Sequence, residues 1–146
     1  GDLQMGSTTK RLCDALLNAD NIDSYFDNNA DRIDIGVDLS EFLEEKLKES
    51  GLTRAELFAR SSINPSYGYQ LLSGLRSPAR DTAVQLALGL SLGVDDTQKL
   101  LRMAKLGALY PRDRRDSIIL FAISNGFPLP QTNELLFSHS MNGLSK

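Results

Sequence analysis

Apolar residues recur along most of this chain at three- and four-residue intervals, the spacing that places side chains on one face of an α-helix. Leu39, Phe42, Leu43 and Leu47 form one such stripe. It predicts a helix capped by Asp38 or Ser40, running to about Glu49 and closed by Gly51. A shorter helix is expected from Arg54 to Arg60, with Leu57 inward. Thr53 precedes it and Glu56 follows three residues later, the capping-box spacing. Ser61, Ser62 and Ile63 make a turn in which Ile63 is an apolar plug. Asn64 then caps a third helix with Pro65 at its first position, where a missing N–H costs nothing. Gly74 ends that helix, and residues 75–79 read as a loop.

Farther on, a nearly all-apolar stretch from Thr82 to Leu90, capped by Asp81, predicts a helix at the centre of a core. Asp95 is expected to cap a helix to about Leu106, with Leu100, Leu101, Met103 and Ala104 inside and Gly107 at its end. A helix from Tyr110 and Pro111 through Ser124 contains the unbroken apolar run Ile118–Ile123. That run predicts burial on all faces, within this chain or against a second copy. Pro128 and Pro130 bracket a turn, and residues 131–138 form a last short helix. Before residue 38 the pattern is weaker. Short helices are expected at residues 9–19 and 20–28. Residues 27–38, rich in Asp and Asn with Ile33, Ile35 and Val37 alternating, read as an extended linker, a short strand being the alternative. The fold class is all-α, in three parts: an acidic N-terminal extension with short helices (1–37), a central domain (38–107) and a C-terminal helical extension packed on it (108–146).

Composition adds exclusions. With 41% hydrophobic and 24% charged residues, the chain fits neither a disordered nor a membrane-spanning class. Its longest apolar run falls well short of the ~20 residues that cross a bilayer. The N-terminus lacks a basic start followed by an apolar stretch, so no secretory leader is expected. A single cysteine permits no internal disulfide, which suits a reducing cytoplasm. The net charge of −3 argues at first against nucleic acid, but its distribution changes that. Residues 1–50 hold 12 acids and 5 bases, whereas residues 51–116 hold 6 acids and 10 bases. Between Gly51 and Arg80 there are four arginines and one acid, Glu56, a usable phosphate-binding footprint. The alternative is ordinary solvated charge on a small helical domain.

Catalytic and metal chemistry have little to stand on. His139 and Cys13 are the only residues of their kinds, and no ligand spacing surrounds them. The Asp/Asn cluster at residues 27–34 lacks the central Gly and terminal Glu of a calcium loop. No nucleophile elbow, phosphate-binding glycine loop or zinc-protease motif occurs. No enzyme activity, cofactor or metal is therefore expected.

Residues 39–92 resemble the Cro/phage-repressor (Xre-type) helix-turn-helix family. Leu43 and Leu47, then Gly51, Leu52, Thr53 and Leu57, carry the likeness. Ile63 and Asn64 at the turn, Gly74 after the second helix and Pro78 before the next complete it. Tyr67–Asp81 and Leu109–Asp116 together resemble a bacterial subset of that family. The resemblance implies a repressor-like five-helix DNA-binding domain, usually dimeric on its operator. Three positions depart from the pattern. Phe58 stands where the family prefers a small residue, Ser62 where it has a turn glycine, and Gly68 where it has a core side chain. By helix propensity Gly68 should cost about 1 kcal/mol relative to Ala.

On this reading, residues 66–70 of the helix after Asn64 enter a major groove of double-stranded DNA. Base contacts are expected from Ser66, Tyr67, Tyr69 and Gln70, with Tyr67 alternatively bonding a phosphate and Tyr69 placed to serve either base or backbone. Gln70 is the most telling because an amide can pair bidentately with adenine. Phosphate contacts are expected from Thr53 and Arg54 at a helix N-terminus, and from Arg76 and Arg80 around the following loop. The alternatives are that Ser66 and Gln70 are plain surface residues, that the tyrosines pack on the preceding helix, and that Arg80 pairs with Asp81 or serves a cap. Arg112, Arg114 and Arg115, interleaved with Asp113 and Asp116, look like a charge-paired helix start. The expected function is a cytoplasmic, sequence-specific transcriptional regulator, with a homodimer possible on family grounds. The other hypothesis is a protein-interaction module reusing the same helices, regulatory or antitoxin-like, with a partner held through the acidic N-terminal segment.

Overall fold

In a computed structural model, residues 35–144 are described, together with Leu17 and Ile22. The chain divides into two compact units, Gly1–Ile35 and Gly36–Lys146. In the first, Leu17 and Ile22 are helical and exposed. The expected helices at 9–19 and 20–28, Cys13, the Asp/Asn cluster and most of the acidic extension otherwise lie outside the described residues.

Within the described residues the chain is all-helical, without strands. Helix α1 spans Ile35–Ser50 and buries Leu39, Phe42, Leu43 and Leu47. It begins earlier than the pattern suggests. Asp38 lies in its first turn instead of capping it, and residues 35–38 are helix where an extended linker was expected. Gly51, at φ +74°, supplies the left-handed turn that closes it.

Helix α2 (Arg54–Ser61) is held at its start by a complete capping box. The Glu56 N–H donates to Thr53 Oγ1 and the Thr53 N–H donates to Glu56 Oε1. Ser62 then adopts φ 52°, ψ 45°, left-handed geometry that costs a non-glycine residue about 1–2 kcal/mol. Ile63 is buried as the plug. Helix α3 (Pro65–Leu72) starts with the Ser66 N–H donating to Asn64 Oδ1 at 2.9 Å and Pro in the first turn. The two caps explain why a three-residue link turns the chain so sharply here. Ser40 Oγ on α1 donates to the Leu72 carbonyl at the far end of α3.

Helix α4 (Arg80–Gly89) is the central element. Ala83, Val84, Leu86, Ala87 and Leu88 are all buried, and α2, helix α5 (Val94–Met103) and helix α7 (Leu129–Ser138) pack on it. Neither α4 nor α5 has a side-chain cap: Ala79 and Gly93 take those positions, while Asp81 and Asp95, expected as caps, sit inside the first turns. Gly89 is required by close approach, since a Cβ there would lie 2.0 Å from Ser61 Oγ. That hydroxyl is buried with no hydrogen-bond partner among the described residues, while Gln85 Nε2 donates to the Ser61 carbonyl at 2.8 Å.

Helix α6 (Arg114–Ser124) starts later than Tyr110 because Asp113 caps it, accepting from the Asp116 N–H at 2.9 Å. With α7 it forms a hairpin against α4 and α5. The run 118–123 is not buried all round: Ile119, Ala122 and Ile123 face inward, but Phe121 is 54% exposed, its ring edge-on to Phe127 at 5.9 Å.

Two ion pairs cross between the starts of α4 and α6. Arg80 donates to both oxygens of Asp116 at 3.0 and 2.8 Å. Arg115 donates to both oxygens of Asp81 at 2.9 Å. Each Arg-Asp dipeptide thus exchanges partners with the other. Arg115 therefore pairs across the fold, not with its chain neighbours as expected. Burial disfavours the ionised form of Asp116, but the Arg80 guanidinium and the Tyr110 N–H prevail and hold its carboxyl below the usual carboxylate range.

Candidate nucleic-acid interface

At about 100° per residue, α3 buries Gly68, Leu71 and Leu72. The opposite face carries Ser66, Gln70 and Ser73, with Tyr69 on one flank and Tyr67 on the other. Ser66, Tyr69 and Ser73 are exposed, and Gln70 is half-buried. Tyr67 packs partly against the core, and Tyr69 meets Phe58 of α2 edge-on, the contact with the preceding helix that the alternative reading of the tyrosines allowed. Ser73, the C-cap residue, extends the outward stripe although it is not among the expected contacts, and its hydroxyl donates to the Gln70 carbonyl at 3.1 Å. Its place three residues after Gln70 and seven after Ser66 was the available signal. No charged residue lies on α3 itself.

The α2 side of this face is a concavity of about 840 Å³ lined by Glu44, Lys48, Thr53, Arg54 and Tyr69, among others. It brings together three of the expected contact residues, Thr53, Arg54 and Tyr69. It also introduces carboxylates that no sequence signal announced. Arg54 Nη2 donates to both oxygens of Glu44, at 3.0 and 2.8 Å, with both side chains well exposed. Glu56 occupies part of the α2 N-terminus. The Thr53 N–H, then the Thr53 hydroxyl, keeps its carboxyl below the usual range. The N–H groups of Thr53 and Glu56 are therefore used within the capping box and are not open to a phosphate.

Beyond α3, Arg76 is exposed in the loop and makes no side-chain hydrogen bond or ion pair among the described residues. Its N–H donates to the Gln70 carbonyl at 3.2 Å, which ties the loop to the helix. Arg80 departs from the expected phosphate set. Besides Asp116, it donates to the carbonyls of Gly107 and Ala108 at 3.0 and 2.8 Å. Four of its five N–H donors are thus committed inside the fold. Its partner is neither Asp81 nor a cap, the alternatives weighed from sequence.

The departures at Phe58 and Gly68 prove to be one feature. A Cβ at Gly68 would lie 2.3 Å from Phe58 Cε1, 2.5 Å from Cδ1 and 2.7 Å from Cζ. The large ring on α2 fills the space that a side chain on α3 would need. The expected gain from Gly68→Ala is therefore reversed: close packing governs this position, not helix propensity. No helix among the described residues is long and apolar enough to cross a membrane. No family model, no curated protein and no solved structure matches this chain.

Proposed function

We propose that the chain is a sequence-specific DNA-binding transcriptional regulator of the repressor-like, Xre-type kind, with α2 and α3 as its helix-turn-helix. The observation that carries this reading is the outward stripe of α3. Ser66 and Gln70 on the helix and Ser73 at its C-cap are polar and uncharged, and the inner face of the helix is anchored by Leu71 and Leu72. Such a helix can enter a major groove without bringing a carboxylate against the duplex. Arg76 supplies phosphate attraction beside it, and Arg54 does so once it exchanges Glu44 for a phosphate. Operator binding by two copies, as the resemblance implies, belongs to the same reading.

Selection of bound duplexes from a random library tests it. Enrichment of one sequence, or of two half-sites about one helical turn apart, is expected. Gln70→Ala should then cost about 1–3 kcal/mol at one base position. Arg76→Ala should weaken binding to all sequences and lower the salt slope by about one. Failure to enrich any sequence, or a Gln70→Ala variant with unchanged preference, overturns the proposal.

A second reading, a protein-interaction module reusing these helices, draws on the exposed Phe121 and Phe137 of the α6–α7 hairpin and on the carboxylates around Arg54. It predicts weak, sequence-indifferent DNA binding together with a captured protein partner whose retention is lost on Phe121→Ser.

A further inference from the structure

Phe58 is almost fully buried against the inner face of α3 at Gly68, yet its ring extends to the flank residue Tyr69. Gly68 leaves no side chain between them, and the Phe58 ring meets that of Tyr69 edge-on, with centroids 5.2 Å apart and planes at 76°. Tyr69 is 54% exposed, so one side of its ring is braced by the core while the other is open. Its flank of α3 is the one that borders the concavity lined by Thr53, Arg54 and Lys48 and also by Glu44 and Glu45. An exposed tyrosine normally samples several rotamers, and fixing one on binding opposes association. The edge-on contact with Phe58 favours one of those rotamers in the free protein. The flank also matters. Ser66 and Gln70 point along the centre of the outward face, where base edges would lie. Tyr69 points toward the α2 N-terminus, where a DNA backbone would pass.

We propose that Phe58, admitted by the gap at Gly68, is a positioning residue that holds Tyr69 so that its hydroxyl bonds a DNA phosphate beside Thr53 and Arg54, not a base edge. The inference rests on the DNA-binding reading above and reassigns one residue within it. Tyr69 leaves the base-contact set and joins the backbone set. The loss of the family's small residue at position 58 and of its core residue at position 68 then has a functional counterpart as well as a packing one.

The test is a double-mutant cycle on a duplex enriched by the wild-type protein and on a scrambled duplex. Tyr69→Phe removes one neutral hydrogen bond. Affinity should fall roughly three- to tenfold on both duplexes alike, with the salt slope unchanged because no charge is lost. Phe58→Leu should produce a similar loss in the wild-type background and little further loss when Tyr69 is already Phe. A Tyr69→Phe variant that alters preference at one base position overturns the backbone assignment. A Phe58→Leu loss that is equal in both backgrounds overturns the positioning role and leaves a merely structural one. Tyr69→Phe keeps the ring pair and so stays decisive if Phe58→Leu fails to fold. A DNA-free readout separates this proposal from its premise. In the free protein the Tyr69 ring protons should carry a ring-current shift from Phe58, absent in Phe58→Leu. That shift without any enriched duplex refutes the DNA-binding reading, and this inference with it. Enrichment without coupling in the cycle refutes the inference alone.

Discussion

Asp116→Asn isolates one arm of the crossed ion pairs. Asparagine keeps the shape and one acceptor but removes the charge that faces Arg80. The Asp116 side chain is 7% exposed and that of Arg80 is 34% exposed. Breaking a fully buried pair on one side costs about 3–5 kcal/mol, whereas an exposed pair contributes about 0–1 kcal/mol. This pair lies between those limits, and the Tyr110 N–H, 3.0 Å from Asp116 Oδ2, also loses a charged acceptor. A loss of about 2 kcal/mol follows, or a fall of about 6 °C in the unfolding midpoint for a chain of this size. The pH dependence gives a second handle. The Asp116 carboxyl is held below its ordinary value in the folded state. Its stabilisation is therefore fully present above the unfolded value of about 3.9 and is lost as pH falls through the folded value. Wild type and Asp116→Asn should differ at neutral pH and converge in acid, where the wild-type carboxyl becomes neutral too. Urea unfolding followed by far-UV circular dichroism across that range measures both effects. A neutral-pH gap under about 0.5 kcal/mol, or a gap that persists undiminished below about pH 3, refutes the reasoning.

Three further substitutions have signs set by the structure. Ser62→Gly should raise stability by about 1 kcal/mol, because glycine adopts the left-handed turn without strain; an unchanged or lower melting temperature would contradict it. Gly68→Ala should lower stability by about 1–3 kcal/mol through overpacking against Phe58, opposite in sign to helix propensity, as chemical denaturation would show. Ser61→Ala removes a buried hydroxyl without a partner among the described residues and should leave stability unchanged or raise it by up to about 1 kcal/mol; a calorimetric loss beyond that would mean the hydroxyl is satisfied.

Local signals survived best in passing from sequence to structure. Thr53 with Glu56, and Asn64 with Pro65, mark the starts of α2 and α3 because each cap acts within three residues of itself. Asp81 and Asp95 misled for a related reason. An acid near a helix start can cap it or sit one turn inside, and sequence does not distinguish the two. The alternation of Ile33, Ile35 and Val37 suggested extended chain, yet residues 35–38 belong to a helix, since three alternating positions cannot outweigh a continuing α1. The unbroken run at 118–123 carries no periodicity, so nothing in it singled out Phe121 as the outward member. Contacts made at long separation were not legible at all. Arg80 with Asp116 spans 36 residues and Arg115 with Asp81 spans 34, and Glu44 meets Arg54 only because the turn at Gly51 folds the start of α2 back toward α1. For the site, the helix and its outward stripe could be read from the chain, but the electrostatic company of each arginine could not.

The exchange of partners between the two Arg-Asp dipeptides bears on where this molecule can be cut. A gene trimmed after residue 107 would still encode the two helices that carry the outward stripe. It would also strand Arg80 and Asp81 at the head of the innermost helix, each facing a vacated counter-ion. In the same stroke it would expose the floor on which Ile119, Leu129 and Leu136 rest. Residues 108–144 are thus a structural wall, and a fragment without them would be a poor surrogate for the domain that includes them.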